Sequence, residues 1–198
     1  MMVLWHERLA FLAVPKTGTS AIEAALAPHA AMAFVRPPHV KHMTNRRFHR
    51  FIKPYLDKVG LADVETLAVV REPVDWLGSW FRYRSRDEIA GTSKSTRGLS
   101  FDQFVEAYLS EGDRADFAEV GSQAKFLAQD EKIIPVNHLF RFENLGALVS
   151  FLSARTGKEL ALPAVNVSPR AELSLAPSLR AELERRYAAD FALWASVD

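Results

Sequence analysis

Lys16 lies in the segment Pro15-Lys16-Thr17-Gly18-Thr19-Ser20, where one cation, one glycine and three hydroxyl side chains fall within six positions. Such a set suits an anion. Gly18 lets the backbone turn and approach a ligand without a Cβ. Thr19 and Ser20 are residue types that cap helices, and first-turn N–H groups with a helix dipole behind them attract negative charge. Lys16 adds a mobile positive charge. A lone Lys-Thr-Gly-Thr fits an ordinary strand, turn and helix about as well, so the decision rests with residues further along the chain. Two more sets of suitable residues lie downstream. Arg71 precedes Glu72-Pro73 and has Ser79 eight positions after it; a guanidinium makes paired, charge-assisted bonds to phosphate oxygens and stays protonated. His39 and His42 flank Val40-Lys41, and histidine can take a proton near neutral pH.

The elements that must position these residues can be read from hydrophobic periodicity. Leu9 to Val14 is an apolar run bounded by Pro15, hence a buried strand, and the Ala/Leu/Glu run after Ser20 reads as a helix. Ala31 to Val35 is a second short strand. Phe48, Phe51, Ile52, Tyr55, Leu56 and Val59 recur at helical spacing after a Thr44 or Asn45 cap, predicting an amphipathic helix from about 45 to 59 with this stripe on the core. Glu65 to Val70 is a third strand, and Pro73 opens the helix carrying Trp76, Leu77, Trp80 and Phe81. Gly91 to Gly98 reads as a mobile polar loop. Helices are predicted over 101–109, 120–127 and 144–155, with a fourth strand inside Lys132 to Phe140 and a C-terminal helix whose Leu179, Leu183, Tyr187, Phe191 and Trp194 face a core.

Strands alternating with helices predict an α/β, three-layer, P-loop-like fold with a central parallel sheet flanked by helices. Residues 15–20, 39–42 and Arg71 each follow a strand. All three sets then meet beyond the carboxyl edge of one sheet, where such folds bind ligands.

The 198 residues suffice for one core, and no linker divides them, so a single domain over 1–198 is expected. With a formal charge of +1 there is no global pull toward nucleic acid or membrane. The basic residues are local: Arg36, Lys41, Arg46, Arg47, Arg50, Lys53 and Lys58 face one acid, Asp57. That run is either an anion-attracting rim or a solvated helix face. Absence of cysteine excludes disulfides and a thiol nucleophile. His6-Glu7-Arg8 interrupts any signal-peptide core, no apolar run reaches the length of a membrane span, and a cytoplasmic location is expected.

The anion loop is not a Walker A motif, because its lysine comes before the glycine. Pro15-Lys16-Thr17-Gly18-Thr19-Ser20 resembles the 5′-phosphosulfate loop of sulfotransferases that use 3′-phosphoadenosine 5′-phosphosulfate (PAPS), and Arg71 with Ser79 resembles that family's 3′-phosphate motif. Arg141-Phe142-Glu143-Asn144-Leu145 and Tyr187-Ala188-Ala189-Asp190-Phe191 are similar to two further family segments, in the right order. Asn166-Val167-Ser168, followed by Arg170, resembles the Asn-x-Ser segment of carbohydrate sulfotransferases and their bacterial relatives. A plain turn before Pro169 fits that segment equally well.

The resemblance implies in-line sulfuryl transfer from PAPS to a carbohydrate or other small-molecule hydroxyl, leaving adenosine 3′,5′-bisphosphate (PAP), with no metal. Pro15, Lys16, Thr17, Gly18, Thr19 and Ser20 would hold the phosphosulfate, Arg71 and Ser79 the 3′-phosphate, and Ser168 and Arg170 the adenosine or 3′-phosphate. Lys16 would also follow the leaving group. His42 would be the base, with His39 as the second candidate. Gln123 would contact acceptor or nucleotide, or be an exposed helix residue. His6, His29, His49 and His138 are expected to be structural. Two other functions compete: a non-catalytic nucleotide-binding or adaptor protein on the same fold, and a small P-loop kinase, for which a magnesium carboxylate is missing after the third strand. Neither nucleic-acid binding nor a membrane span is expected, and the oligomeric state is open.

Overall fold

The computed structural model describes residues 1–129, 132–133, 136–163 and 173–197. Its order is β1 Met2–Leu4, β2 Leu9–Leu12, α1 Thr19–Leu26, β3 Met32–Ala33, α2 Pro38–Lys41, α3 Asn45–Arg47, a π-helical turn Phe48–Ile52, α4 Lys53–Lys58, β4 Glu65–Val70, α5 Pro73–Arg84, α6 Phe101–Leu109, α7 Gln123–Leu127, β5 Ala128–Gln129, β6 Lys132–Ile133, β7 His138–Arg141, α8 Leu145–Thr156, α9 Pro177–Arg186 and α10 Ala188–Ala195. Asn166, Ser168, Pro169 and Arg170 lie outside the described residues.

Five strands form one sheet in the order β3-β1-β2-β4-β7. The parallel heart is β2-β4-β7, with Leu12 opposite Ala68 and Val70 opposite Arg141. The expected α/β sheet is therefore present, corrected in one respect: it is mostly parallel, because β1 runs antiparallel to both β2 and β3. The sequence predicted no strand before Leu9. His6-Glu7-Arg8 lies in the β1–β2 turn, which closes on Arg8 N–H donating to Trp5 C=O, with Arg8 itself at φ 55. No Asn-Gly or Asp-Gly pair advertises that hairpin.

Alternation along β2 and β4 separates two apolar layers. Leu9, Phe11, Leu67 and Val69 pack with Ile22 and Leu26 of α1 and Leu148 and Leu152 of α8. Ala10, Leu12, Ala68 and Val70 pack on the other face with Phe48, Leu56, Leu127 and Leu193. A third cluster joins α5, α6 and α9 through Trp76, Leu77, Phe104, Tyr108 and Leu183.

Three further expectations are corrected. The predicted helix at 45–59 is interrupted by the π turn just ahead of Pro54, which has no N–H to give the ladder and whose ring crowds the preceding turn. Only one row of its apolar stripe is covered: Phe48 and Leu56 are fully buried, whereas Phe51, Tyr55 and Val59 are 59%, 55% and 42% exposed. Phe51 and Tyr55 thus depart from the core-facing placement expected for the aromatic residues of this basic run. The Gly91–Gly98 loop is pinned at Thr96, which is buried; its N–H donates to Arg84 C=O and its hydroxyl to Phe81 C=O. The C-terminal helix breaks at Tyr187 into α9 and α10, but its stripe does face the core, with Leu183 and Leu193 buried.

Among the described residues no helix is long and apolar enough to cross a membrane.

Candidate active site

Residues 13–18 leave the end of β2 and turn into α1. Lys16 and Gly18 both have positive φ, 67 and 75, and Gly18 is the residue that precedes the helix. The left-handed φ favours glycine here, and a Cβ on Gly18 would also press on Cε2 of Phe142 at 3.2 Å. Ala21 and Ile22 N–H both donate to Gly18 C=O, which starts the helix. The earlier N–H groups have no intrahelical acceptor and converge on the space in front of the helix. The cap expected from Thr19 or Ser20 is absent, since no side chain caps this helix.

Two side chains fix the loop from behind. Thr17 is fully buried and donates its hydroxyl to Val14 C=O at 2.9 Å, so here that hydroxyl holds the loop. Trp76 of α5 donates its indole N–H to Pro15 C=O at 2.8 Å.

Lys16 extends over α5, with Nζ 4.0 Å from the Tyr83 ring centroid and 5.5 Å from that of Trp80. Aromatic faces hold an ammonium without neutralising it. Burial pulls the Lys16 pKa down to about 8, and the nearby guanidinium groups of Arg86, Arg71 and Arg82 add to the shift. Burial disfavours the charge whatever its surroundings, but the part owed to Arg86, Arg71 and Arg82 is repulsion between cations, which an anion placed among them would relieve.

Arg71 directly follows β4 and is oriented on every side. Its Nε and NH2 both lie 2.6 Å from Oδ2 of Asp75, NH1 donates to Lys16 C=O at 3.2 Å, and the guanidinium stacks 4.1 Å from the Phe142 ring centroid. The bond to Lys16 C=O ties the arginine physically to the anion loop. Asp75, Ser79 and Arg82 recur at i, i+4 and i+7 along α5, and Arg82 NH2 reaches Asp75 at 3.4 Å, so Ser79 shares the face that carries Arg71's partner. Ser79 is 7% exposed.

The main chain of Arg71 has its own support. Gln123 is 1% exposed; its Oε1 accepts from Arg71 N–H at 2.9 Å and its Nε2 donates to Arg71 C=O at 2.8 Å. It is thus neither an exposed helix residue nor an outward-facing ligand contact. Glu143 accepts from Glu72 N–H at 2.8 Å, while Asn144 caps α8.

His42 ends the short α2 turn. Its Nδ1 lies 2.8 Å from Ala13 C=O, and because a carbonyl only accepts, Nδ1 carries the hydrogen and Nε2 keeps its lone pair. Burial lowers its pKa, more than the Ala13 bond raises it, and Lys41 also lowers it. Lys41 bonds Glu23 of α1 at 2.7 Å, which pins α2 against the anion-loop helix. His39, on the same turn, is exposed. The structure therefore brings Lys16, Gly18, Arg71, Ser79 and His42 to one sheet edge, while His39 sits at the surface.

Sequence reasoning did not single out Asp75, Tyr83, Arg82 or Arg86, and it noted Phe142 only as part of the family-like segment 141–145, with no role. Asp75 stands four positions after Arg71, a spacing from which an ion pair could have been proposed. The segment that holds Phe142 was recognisable, but its contacts with Arg71 and Gly18 were not, since they cross from the end of β7 to residues that follow β4 and β2. Among the described residues no group of three or more His, Asp or Glu could hold a metal ion.

No family model matches the chain, and no curated protein matches it. Among solved structures it is similar to a crystal structure of a sulfotransferase from Alicyclobacillus acidocaldarius, at 17% identity and a TM-score of 0.49, over 96% of this chain and 94% of that one. At this level the likeness carries no weight for function, which has to be argued from the chain's own residues.

Proposed function

We propose that residues 1–198 form one sulfotransferase domain that moves the sulfuryl group of PAPS to a hydroxyl acceptor, releasing PAP, without a metal and in the cytoplasm. The observation that carries the proposal is the hydrogen bond from Arg71 to Lys16 C=O, which joins the two motifs of the sequence into one cationic corner beside a neutral histidine. Nothing in the proposal assigns a nucleic-acid partner.

The donor's negative charge suits the cationic corner. The loop N–H groups from Lys16 to Ser20 and the Lys16 ammonium would take the 5′-phosphosulfate, and Arg71 with Ser79 the 3′-phosphate. PAPS supplies the activated sulfuryl group. His42 Nε2 would take the acceptor proton as the acceptor oxygen bonds to sulfur and the bond from sulfur to the bridging phosphate oxygen breaks. Lys16 would stabilise the negative charge that gathers on that departing oxygen. Such transfers pass through a loose anionic transition state, so positioning and fixed positive charge supply most of the catalysis. His39, being exposed, is assigned to acceptor orientation.

A carbohydrate hydroxyl is the first acceptor class to test, on the likeness of Asn166-Val167-Ser168, and a small lipid or phenol the second. Incubation of acceptor extracts with sulfur-labelled PAPS, then mass spectrometry, should show label in a product with wild-type protein and none with Lys16→Ala. A protein that binds PAP but labels no extract would support the adaptor alternative, and one that binds only ATP with magnesium would support a kinase.

A further inference from the structure

Arg71 stands where β4 has just ended, one residue beyond the last pair that β4 makes with β7. Its N–H and C=O therefore leave the strand ladder, and buried main-chain groups need partners. The carboxamide of Gln123 supplies both, with a donor and an acceptor in one plane, as a neighbouring strand would.

Gln123 opens a helix of five residues, too short to be held by its own propensity. Its anchor is Asp190, 5% exposed, on α10. One oxygen, Oδ1, accepts from Gln123 N–H at 2.7 Å and Ala124 N–H at 3.3 Å; the other, Oδ2, accepts from Ser122 Oγ at 2.7 Å. Ser122 Oγ accepts in turn from Lys125 N–H at 3.1 Å. A continuous set of buried hydrogen bonds thus runs from the C-terminal helix through the start of α7 to the main chain of Arg71. From there Arg71's guanidinium reaches Asp75 and Lys16 C=O.

We propose that Gln123 and Asp190 are positioning residues for Arg71, so that α10, remote in sequence, sets how strongly the site holds a 3′-phosphate. Gln123 fixes the backbone from which the guanidinium projects, and Asp190 fixes Gln123. The inference rests on the PAPS reading above. Its effect is confined to one subsite: a donor lacking the 3′-phosphate gains nothing from a well-aimed Arg71 and should be indifferent to both residues.

The test compares affinities for PAP and for adenosine 5′-phosphosulfate, which lacks the 3′-phosphate, in full-length protein with thermal melting recorded for each variant. Gln123→Met, close in volume but without the amide, should weaken PAP about tenfold, the scale of one hydrogen bond to a charged group. Adenosine 5′-phosphosulfate should change less than about twofold. In an Arg71→Ala background the same substitution should cost PAP almost nothing, the non-additivity expected of residues that act as one unit. Asp190→Ala should act in the same direction, and Asp190→Asn should restore PAP affinity, because its carbonyl still accepts from Gln123 and Ala124 N–H while its amide can donate to Ser122 Oγ.

Unchanged PAP affinity in a folded Gln123→Met protein would overturn the inference. So would equal losses for both ligands, or an undiminished loss in the Arg71→Ala background. Should Asp190→Ala fail to fold, the Gln123→Met series and Asp190→Asn decide. Wild-type protein that binds no PAP would overturn the PAPS reading itself, and the inference with it, which separates the two failures.

Discussion

The two ends of the parallel sheet use charge in different ways. At the amino ends of β4 and β7, Glu65 accepts from His138 at 3.0 Å and from Arg155 at 2.5 Å, and Arg8 pairs with Asp63; each cation there meets an acid at the surface. At the carboxyl ends, Arg71 and Arg82 share Asp75, and Lys16 lies close enough to Arg86, Arg71 and Arg82 that their repulsion adds to the burial that lowers its pKa. The first arrangement is closed and neutral. The second sets cations close to one another, with Arg71 fixed through Lys16 C=O and Gln123, an arrangement that an arriving anion would relieve. Like elements produce both ends, so the difference lies in what the strands lead into.

Substitutions should separate the ends, and His42→Ala should separate them most. Removing the base should lower turnover by roughly 10²–10⁴ while leaving PAP affinity close to wild type. Steady-state kinetics with calorimetry on the same protein checks it. The acid limb of the rate should lie below pH 6.5, because burial lowers the His42 pKa and the neutral base survives to lower pH. The variant should lack that limb, and wild-type turnover in His42→Ala would move the role of base to His39.

Arg71→Ala comes next. Each charged hydrogen bond to the 3′-phosphate contributes roughly 1.5–3 kcal/mol, so PAP affinity should fall by at least tenfold while adenosine 5′-phosphosulfate changes much less. Equal losses would make Arg71 a structural residue and erase the contrast between the two sheet ends.

Lys16 gives a smaller and graded effect. Its ammonium is present below about pH 8 in the free protein and is lost above it, so PAP affinity should decline as pH rises through that value. Bound anion raises the lysine pKa, which is the reason affinity depends on pH at all, and the decline levels off above the pKa that the lysine has in the complex. In Lys16→Met the affinity should be lower throughout and flat across the same range.

The smallest effect belongs to the opposite end. Glu65→Gln should cost stability no more than about 1 kcal/mol, the range of surface ion pairs, and leave PAP binding alone. Hydrogen bonding from His138 and then Arg155 holds the Glu65 carboxyl below its ordinary pKa. Its contribution is therefore full above the unfolded carboxylate range and fades as pH falls through the folded value, which thermal melts at pH 7 and pH 3 would compare.

What could be read beforehand was whatever is encoded locally. Glu65–Val70 and Phe101–Leu109 were each legible because a run of aliphatic residues or a helical stripe needs no distant partner to be recognised. The anion loop and Arg71 were legible for the same reason, being short motifs at strand ends. Residues 45–59 show the limit: the spacing admits two adjacent apolar rows, and only the tertiary structure decides that 48, 52 and 56 turn inward while 51, 55 and 59 do not. Gln123 and Asp190 show it again: the family-like segments drew attention to both, but their partners lie 52 and 67 residues away and nothing in either neighbourhood tells that they bond Arg71 and each other. The β1 strand needed β2 and β3 on either side before its three residues could count as a strand.

The central claim is that the carboxyl end of the sheet is a metal-independent site for an adenosine carrying both 5′ and 3′ phosphates. Calorimetric titration of wild-type protein with PAP in the presence of a chelator tests it most directly. The account predicts saturable one-to-one binding that is unchanged by added magnesium and weakened by Arg71→Ala. Absence of PAP binding, together with binding of ATP that requires magnesium, would contradict it.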